Sequence, residues 1–364
     1  MKKKENQYII QIGDIMVSIL LESAYSNSIW CKNLYEGLVD SLRQRRIPFC
    51  EIFDTCPAHS EGVFIIASDY QWVKSVISQF NKSGIEPILI CNQLERIPEC
   101  LYSCVCSDIN ASMRKLLNKL SIGGKKDIAL YGVNTNSISD ISRMESLFSL
   151  KDQYCNSMEV FTNEGSLSDC FNNFYSKINK FDTVICTNDF AAVSLVKKLK
   201  EKDRTILSSL TIISCTKTAL SERFSEITSI DLNFSKYGKE AVKIFERLQK
   251  HPYLSCITSG IVCDFGETVA RDNADLSLLI PESEDSFYDD KELKEMLIVD
   301  KFLSCCDATD KEIITYLSDG LSYEKTAEKC FLTESGIKYR IKKILQTCGA
   351  ESKEHLINLL KEYC

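Results

Sequence analysis

Thr183 to Lys202, TVICTNDFAAVSLVKKLKEK, decides the fold. Its first residues, Thr183–Thr187, are β-branched or apolar and read as a short buried strand. Asn188 and Asp189 then interrupt the run with short polar side chains of the type that cap helices. From Ala191 to Lys202, apolar residues recur at helical spacing among lysines, which predicts an amphipathic helix. Strand, polar corner and helix together form the repeating unit of a parallel sheet, because parallel neighbours need a long crossover.

Outward from this unit the same alternation continues. Met16–Leu21, Phe49–Phe53, Val63–Ala67, Pro87–Cys91, Asp127–Gly132, Leu210–Ser214 and Ile257–Asp264 are further strand candidates. Trp30–Arg43, Gln71–Asn81, Ile109–Leu120 and Lys236–Lys250 carry helical patterns. Roughly 250 residues of alternation exceed one sheet of modest width, so the expected fold class is α/β with two lobes of parallel sheet. Only Asp54–Glu61 separates the second and third strands, too little for a normal crossover, so a helix there should be shortened or missing.

The alternation stops near residue 275. PESEDSFYDD, Pro281–Asp290, reads as an acidic linker, and Lys291–Cys305 as a helix with Leu293, Met296, Leu297 and Leu303 on one side. Only helical patterns follow. The expected order is a disordered N-terminus (1–7), an α/β body (8–275), a linker and connecting helix (276–306), and a small all-α domain (307–364).

Composition narrows the function. With 44% hydrophobic and 26% charged residues, the 364-residue chain is globular rather than disordered. A net charge of −7 means that any nucleic-acid contact must come from a local basic patch. Gln11 and Asp14 break the apolar stretch Ile9–Leu21, and no clean cleavage site follows the MKKK start, so a cytoplasmic protein with no membrane partner is expected. Eighteen cysteines include no CxxC pair, and His59, His251 and His355 lie outside ligand spacing, so reduced thiols are expected and no metal. Gly123-Gly124-Lys125-Lys126 precedes a strand and is no phosphate loop. No acid/base or nucleophile set stands out, so neither enzymatic activity nor a cofactor is expected.

The tail divides into capped helices. Thr309 with Glu312 reads as a capping box, Gly320 as a left-handed helix end, and Ser322 and Thr333 as the next two N-caps. In the helix Glu334–Cys348, Ile337, Ile341, Ile344 and Leu345 form an apolar stripe. Ser335, Lys338, Tyr339, Lys342, Lys343 and Gln346 lie opposite, a basic polar face one helix wide that suits a major groove, although a solvated face would look the same.

Glu312, Gly320-Leu321-Ser322, Ala327, Leu332-Thr333-Glu334, Ile337-Lys338, Ile344-Leu345, Gly349 and Ser352 resemble the C-terminal helix-turn-helix of LuxR-type response regulators. The resemblance implies double-stranded DNA as partner, with Lys338, Tyr339 and Lys342 reaching bases and Thr333 and Lys343 placed for phosphates. It implies a homodimer, since two half-sites are needed. Gly336, Arg340 and Ala308 depart from it, standing where the family usually has Thr, His and an apolar Leu.

The body resembles the effector-binding domain of LacI-type repressors, akin to type I periplasmic sugar-binding proteins. Ser23–Asn27 with Ile29-Trp30, Glu61–Ile66, Gly84–Pro87, Asp108, Gly124–Ala129, Thr187–Ala192, Tyr237–Ala241 and Val269–Ala274 carry the likeness in order. It implies a small-molecule effector between two lobes, with Trp30, Asp108, Arg143 and Asn188 as contacts and Asp189 and Thr216 beside them. Each has a structural alternative: Trp30 as helix-face core, Asp108 and Asp189 as helix caps, Arg143 as a surface ion pair. Two acidic residues of the family are replaced by Thr216-Lys217, which opens the choice between a sugar-like and an anionic metabolite. The combined expectation is a one-component transcription regulator; the rival is a ligand-binding module whose tail docks on protein.

Overall fold

The computed structural model describes residues 16–23, 29–53, 60–67, 69–91, 97, 99–135, 137–230, 234–263 and 290–363. The expected disordered start, the loop Ala24–Asn27, most of the short connection after the second strand, the acidic linker and Val269–Ala274 fall outside these residues. The protein is α/β, with two all-parallel sheets and a small all-α tail.

The first compact unit holds the described residues up to Asp108 together with 234–263. Its sheet is built from β1 (Val17–Leu21), β2 (Phe49–Phe53), β3 (Gly62–Ile66), β4 (Ile88–Ile90), β5 (Ser103–Ser107) and a late strand, β11 (Thr258–Ile261), in the order β11-β5-β4-β3-β1-β2. The inner strands β1, β3 and β4 are buried along their whole length, as a sheet covered on both faces requires. Helices α1 (Ile29–Gln44), α2 (Tyr70–Lys82) and α7 (Phe234–Lys250) pack in this unit. Helices α1 and α7 approach so closely that a Cβ on Gly238 would lie 2.2 Å from the Gly37 carbonyl.

The second unit holds residues 109–230 and 290–363. Its sheet, β10-β9-β8-β6-β7, comprises β6 (Asp127–Val133), β7 (Ser157–Thr162), β8 (Thr183–Cys186), β9 (Thr211–Ser214) and β10 (Ile227–Ser229). Helices α3 (Ile109–Ile122), α4 (Ile138–Tyr154), α5 (Leu167–Tyr175) and α6 (Asp189–Lys202) accompany it. The opening stretch is therefore β8 and α6. Strands β5, β7 and β10 are additions to the sequence reading.

The connecting helix α8 (Lys291–Cys305) belongs to two cores. Its Leu293, Met296 and Val299 are buried with α5, α6 and the second sheet. Its Phe302, and Cys306 just beyond its end, are buried instead among α9 (Ala308–Ser318), α10 (Tyr323–Lys329), α11 (Glu334–Cys348) and α12 (Lys353–Tyr363). Helix α12 closes a second seam: Leu359 and Tyr363 join the sheet-side core, and Lys197 of α6 sits 3.4 Å from the Tyr363 ring centre.

The tail caps follow the reading with one correction. Ser322 and Thr333 cap α10 and α11 through their side chains, and Gly320 is left-handed with φ +82°. The cap of α9 is Asp307, not Thr309: its carboxylate accepts the Asp310 amide at 2.7 Å. A carboxylate satisfies the amide and complements the helix dipole, so the helix starts before the threonine.

Candidate functional site

Four of the six expected effector contacts meet at the carboxyl ends of β6, β8 and β9, where open parallel sheets bind ligands. Gly132, φ +77°, lets α6 come in close, since a Cβ there would lie 2.6 Å from the Ala191 Cβ. The Thr187 hydroxyl donates to the Gly132 carbonyl at 2.8 Å. Asn188 is the N-cap of α6: its Oδ1 accepts the Ala191 amide at 2.9 Å, and its Nδ2 reaches Thr187 Oγ1 at 3.5 Å. The cap role expected of Asp189 thus falls to Asn188.

Asp189 is instead the first buried residue of the helix. Thr216 Oγ1 donates to its Oδ1 at 2.7 Å and accepts its backbone amide at 3.0 Å. Burial pushes the Asp189 carboxyl up from the usual range, opposed by the hydroxyls of Thr218 and Thr216. Thr216 thereby joins the loop after β9 to the start of α6.

Arg143 is buried on α4, not exposed, and its Nη1 pairs with Asp140 Oδ1 at 2.8 Å. Asp140 also accepts the Asn134 amide at 3.1 Å. Burial raises the Asp140 carboxyl, with Arg143 next in influence and opposing. The pair Arg143–Asp140 at the end of β6 and the contacts of Thr187 with Gly132 and Asn188 so line the rim. Lys217 is also occupied, 2.7 Å from Glu222. The rim's visible cations are therefore neutralised by acids of the protein.

Asp108 and Trp30 lie in the other unit. The Asp108 amide donates to Ile261 at 2.9 Å, tying the end of β5 to β11. Trp30 stands in the first turn of α1, and its side chain lies outside the described residues.

The tail presents a second candidate surface. Ile337, Ile341 and Ile344 are buried, while Leu345 is half-buried. Ser335, Lys338, Tyr339, Lys342, Lys343 and Gln346 are all exposed. Lys338 is 2.6 Å from Glu334 on the same face, an exposed pair that an incoming phosphate can break cheaply. Thr333 uses its hydroxyl as the α11 cap, accepting the Gly336 amide at 3.1 Å. Phe331, in the turn before it, is 95% exposed with φ +55°.

Sequence reasoning missed Asp140, Phe331 and Asp300, a fully buried acid on α8. The signal for Asp300 was present: it is spaced four residues after Met296 and three before Leu303, so it stands in an apolar stripe. Among the described residues no group of three potential ligands could hold a metal, and no helix is long and apolar enough to cross a membrane.

No protein-family model matches the sequence, and neither does any curated protein. Solved structures match the fold. A cellobiose complex of the transcriptional regulator CelR is 13% identical, covering 69% of this chain and 83% of its own, with TM-score 0.54. The Lac repressor bound to ONPG is 12% identical over 70% of this chain and 81% of its own, TM-score 0.55. A glucose-galactose binding protein from Geobacillus stearothermophilus is 12% identical over 69% of this chain and 96% of its own, TM-score 0.54. These named neighbours are regulators and a sugar-binding protein, and the α/β body shares the fold of LacI-family sensor domains.

Proposed function

We propose that the protein is a one-component transcription regulator. Its α/β body senses a small molecule, and its tail is a LuxR-type helix-turn-helix that binds double-stranded DNA as a homodimer in the cytoplasm. The proposed division places the sensor in residues 8–275, a linker and connecting helix in 276–306, and the DNA-binding domain in 307–364. The observation that carries this reading is α11. Its isoleucines are buried, so its lysine face is held outward on a fixed helix. Lys338, Tyr339 and Lys342 then read bases, and Thr333 and Lys343 contact phosphates.

The proposed effector contacts of the second unit are Arg143, Asn188, Asp189 and Thr216 on one rim; those proposed in the first unit are Trp30 and Asp108. Because Arg143 and Lys217 are already paired with Asp140 and Glu222, the rim favours a neutral, hydroxyl-rich ligand such as a sugar over an anion.

The test is selection of genomic fragments by the full chain, followed by mobility shift on the best one. Replacing Lys338 and Lys342 with Ala should abolish the shift or remove its preference for the selected fragment, and replacing Lys343 with Ala should lower the slope of log affinity against log salt by roughly 1. The second reading is a tail that docks on protein, which the exposure of Phe331 favours. It predicts that no fragment is enriched even by the unmutated chain.

A further inference from the structure

Asp300 interrupts the buried face of α8 with a carboxylate. Its Oδ1 accepts the Leu220 amide at 2.9 Å, but its Oδ2 has no hydrogen-bond partner. The charge that acts on it is a second carboxylate, Asp189 of α6, whose Oδ2 is also buried and unpartnered. The Thr218 hydroxyl acts on both, and Thr216 holds the Asp189 Oδ1. Two buried acids thus bracket the loop Thr216–Leu220 from opposite helices.

Several cations on the elements around them are engaged elsewhere. Lys198 and Lys197 of α6 hold Glu292 of α8 at 2.6 Å and Glu362 of α12 at 2.8 Å. Lys217 of the loop holds Glu222, and Lys301 acts on Cys348 at the tail end of α8. The remaining acid on this side of α8, Glu295, takes Lys291 and the Tyr363 hydroxyl. Two ionised carboxylates in a dry site without a cation are strongly unfavourable. One proton removes the repulsion.

We propose that Asp189 and Asp300 hold one proton between them, and that this protonated pair is the joint tying the loop beside the effector rim to the helix that leads into the tail. The role of the rim rests on the sensor reading above; the joint rests on its own contacts. Burial first, and Asp189 second, push the Asp300 carboxyl up to about 7. A rearrangement of the loop that separates the two acids lets both ionise, and the proton leaves to solvent as the O–H bond breaks. The sign follows. The folded chain holds a proton that the unfolded chain gives up, so the pair's contribution to stability is complete below the ordinary carboxylate range. It falls as pH rises and is gone above about 7.

Asp300→Asn in the full chain tests this, because Asn keeps an oxygen for Leu220 and imitates the protonated state. Its melting temperature should match the wild type only below the ordinary carboxylate range, and its advantage should be roughly 2–4 °C larger at about pH 8 than at about pH 5. Asp189→Asn should remove the same pH dependence, with no further gain in the double variant. A shift of equal size at both pH values overturns the proposal. So does stabilisation of the wild type, but not of Asp300→Asn, by sodium, potassium or calcium, which would make the site a cation's. Infrared difference spectra of the wild type provide a reading independent of variant folding. A buried protonated carboxyl stretch should vanish between the two pH values, and its absence at the lower one overturns the proposal. DNA plays no part in these measurements, so they fail or succeed separately from the regulator reading.

Discussion

Arg340 stands where the helix-turn-helix resemblance expects a histidine, and its guanidinium bridges Asp307 at 3.0 Å and Asp310 at 2.6 Å. It pins α11 to the amino end of α9. Burial pushes the Asp307 carboxyl upward, but the Asp310 amide and Arg340 outweigh it and hold it below the usual range. This tie is present at neutral pH and is lost as pH falls through the depressed value. Arg340→Ala should lower tail stability by about 1 kcal/mol in urea titration at pH 7, since the pair is only partly shielded. The difference should shrink below about pH 4. Phe331 invites the opposite test. A bulky side chain in the left-handed region is strained and buries nothing for the fold. Phe331→Gly should leave stability unchanged or raise it by up to about 1 kcal/mol, while weakening whatever the tail binds.

Among the elements, α8 shows most clearly what could be read in advance. Leu293, Met296 and Leu297 announced a helix with one apolar side, but periodicity does not say which core receives that side. Met296 is fully buried against the second sheet's core, so Met296→Ala should cost about 2–5 kcal/mol. Circular dichroism should show the body's second unit and the tail melting at a lower temperature together. The strands that escaped the sequence reading have physical reasons. In β5, Ser-Cys-Val-Cys-Ser carries weak strand preference, and β10 is a three-residue edge. At the edge strand β7 only Phe161 is buried, so the apolar pattern fades. The rim was legible as a place, because polar residues after buried strands mark it. Its internal pairing was not, since Asp140 and Arg143 lie three residues apart on a helix whose inward side only the fold decides.

At the scale of the whole molecule, the second unit offers a rim of hydroxyls, amides and neutralised ions at one end and an exposed basic helix in its tail. If the rim belongs to a sensor, a neutral sugar should raise the melting temperature of the full chain saturably, by roughly 2–4 °C near a hundredfold excess over its dissociation constant. Asn188→Ala should reduce that rise while costing about 1 kcal/mol of stability through the lost cap. A thermal-shift panel of sugars, sugar acids, phosphates and nucleobases checks both. A rise with phosphates alone would contradict the charge balance of Arg143 and Lys217.

The double membership of α8 has a practical consequence for anyone who wants to cut this chain. A fragment beginning at 307 would strip Phe302 and Cys306 from beneath its helices, and one ending at 290 would take Leu293, Met296 and Val299 out of the core that α5 and α6 share. The helical tail is therefore not a cassette. A chimaera that grafts it onto another protein should carry Lys291–Cys305 along, and would still need a host surface shaped to accept Met296 and Tyr363.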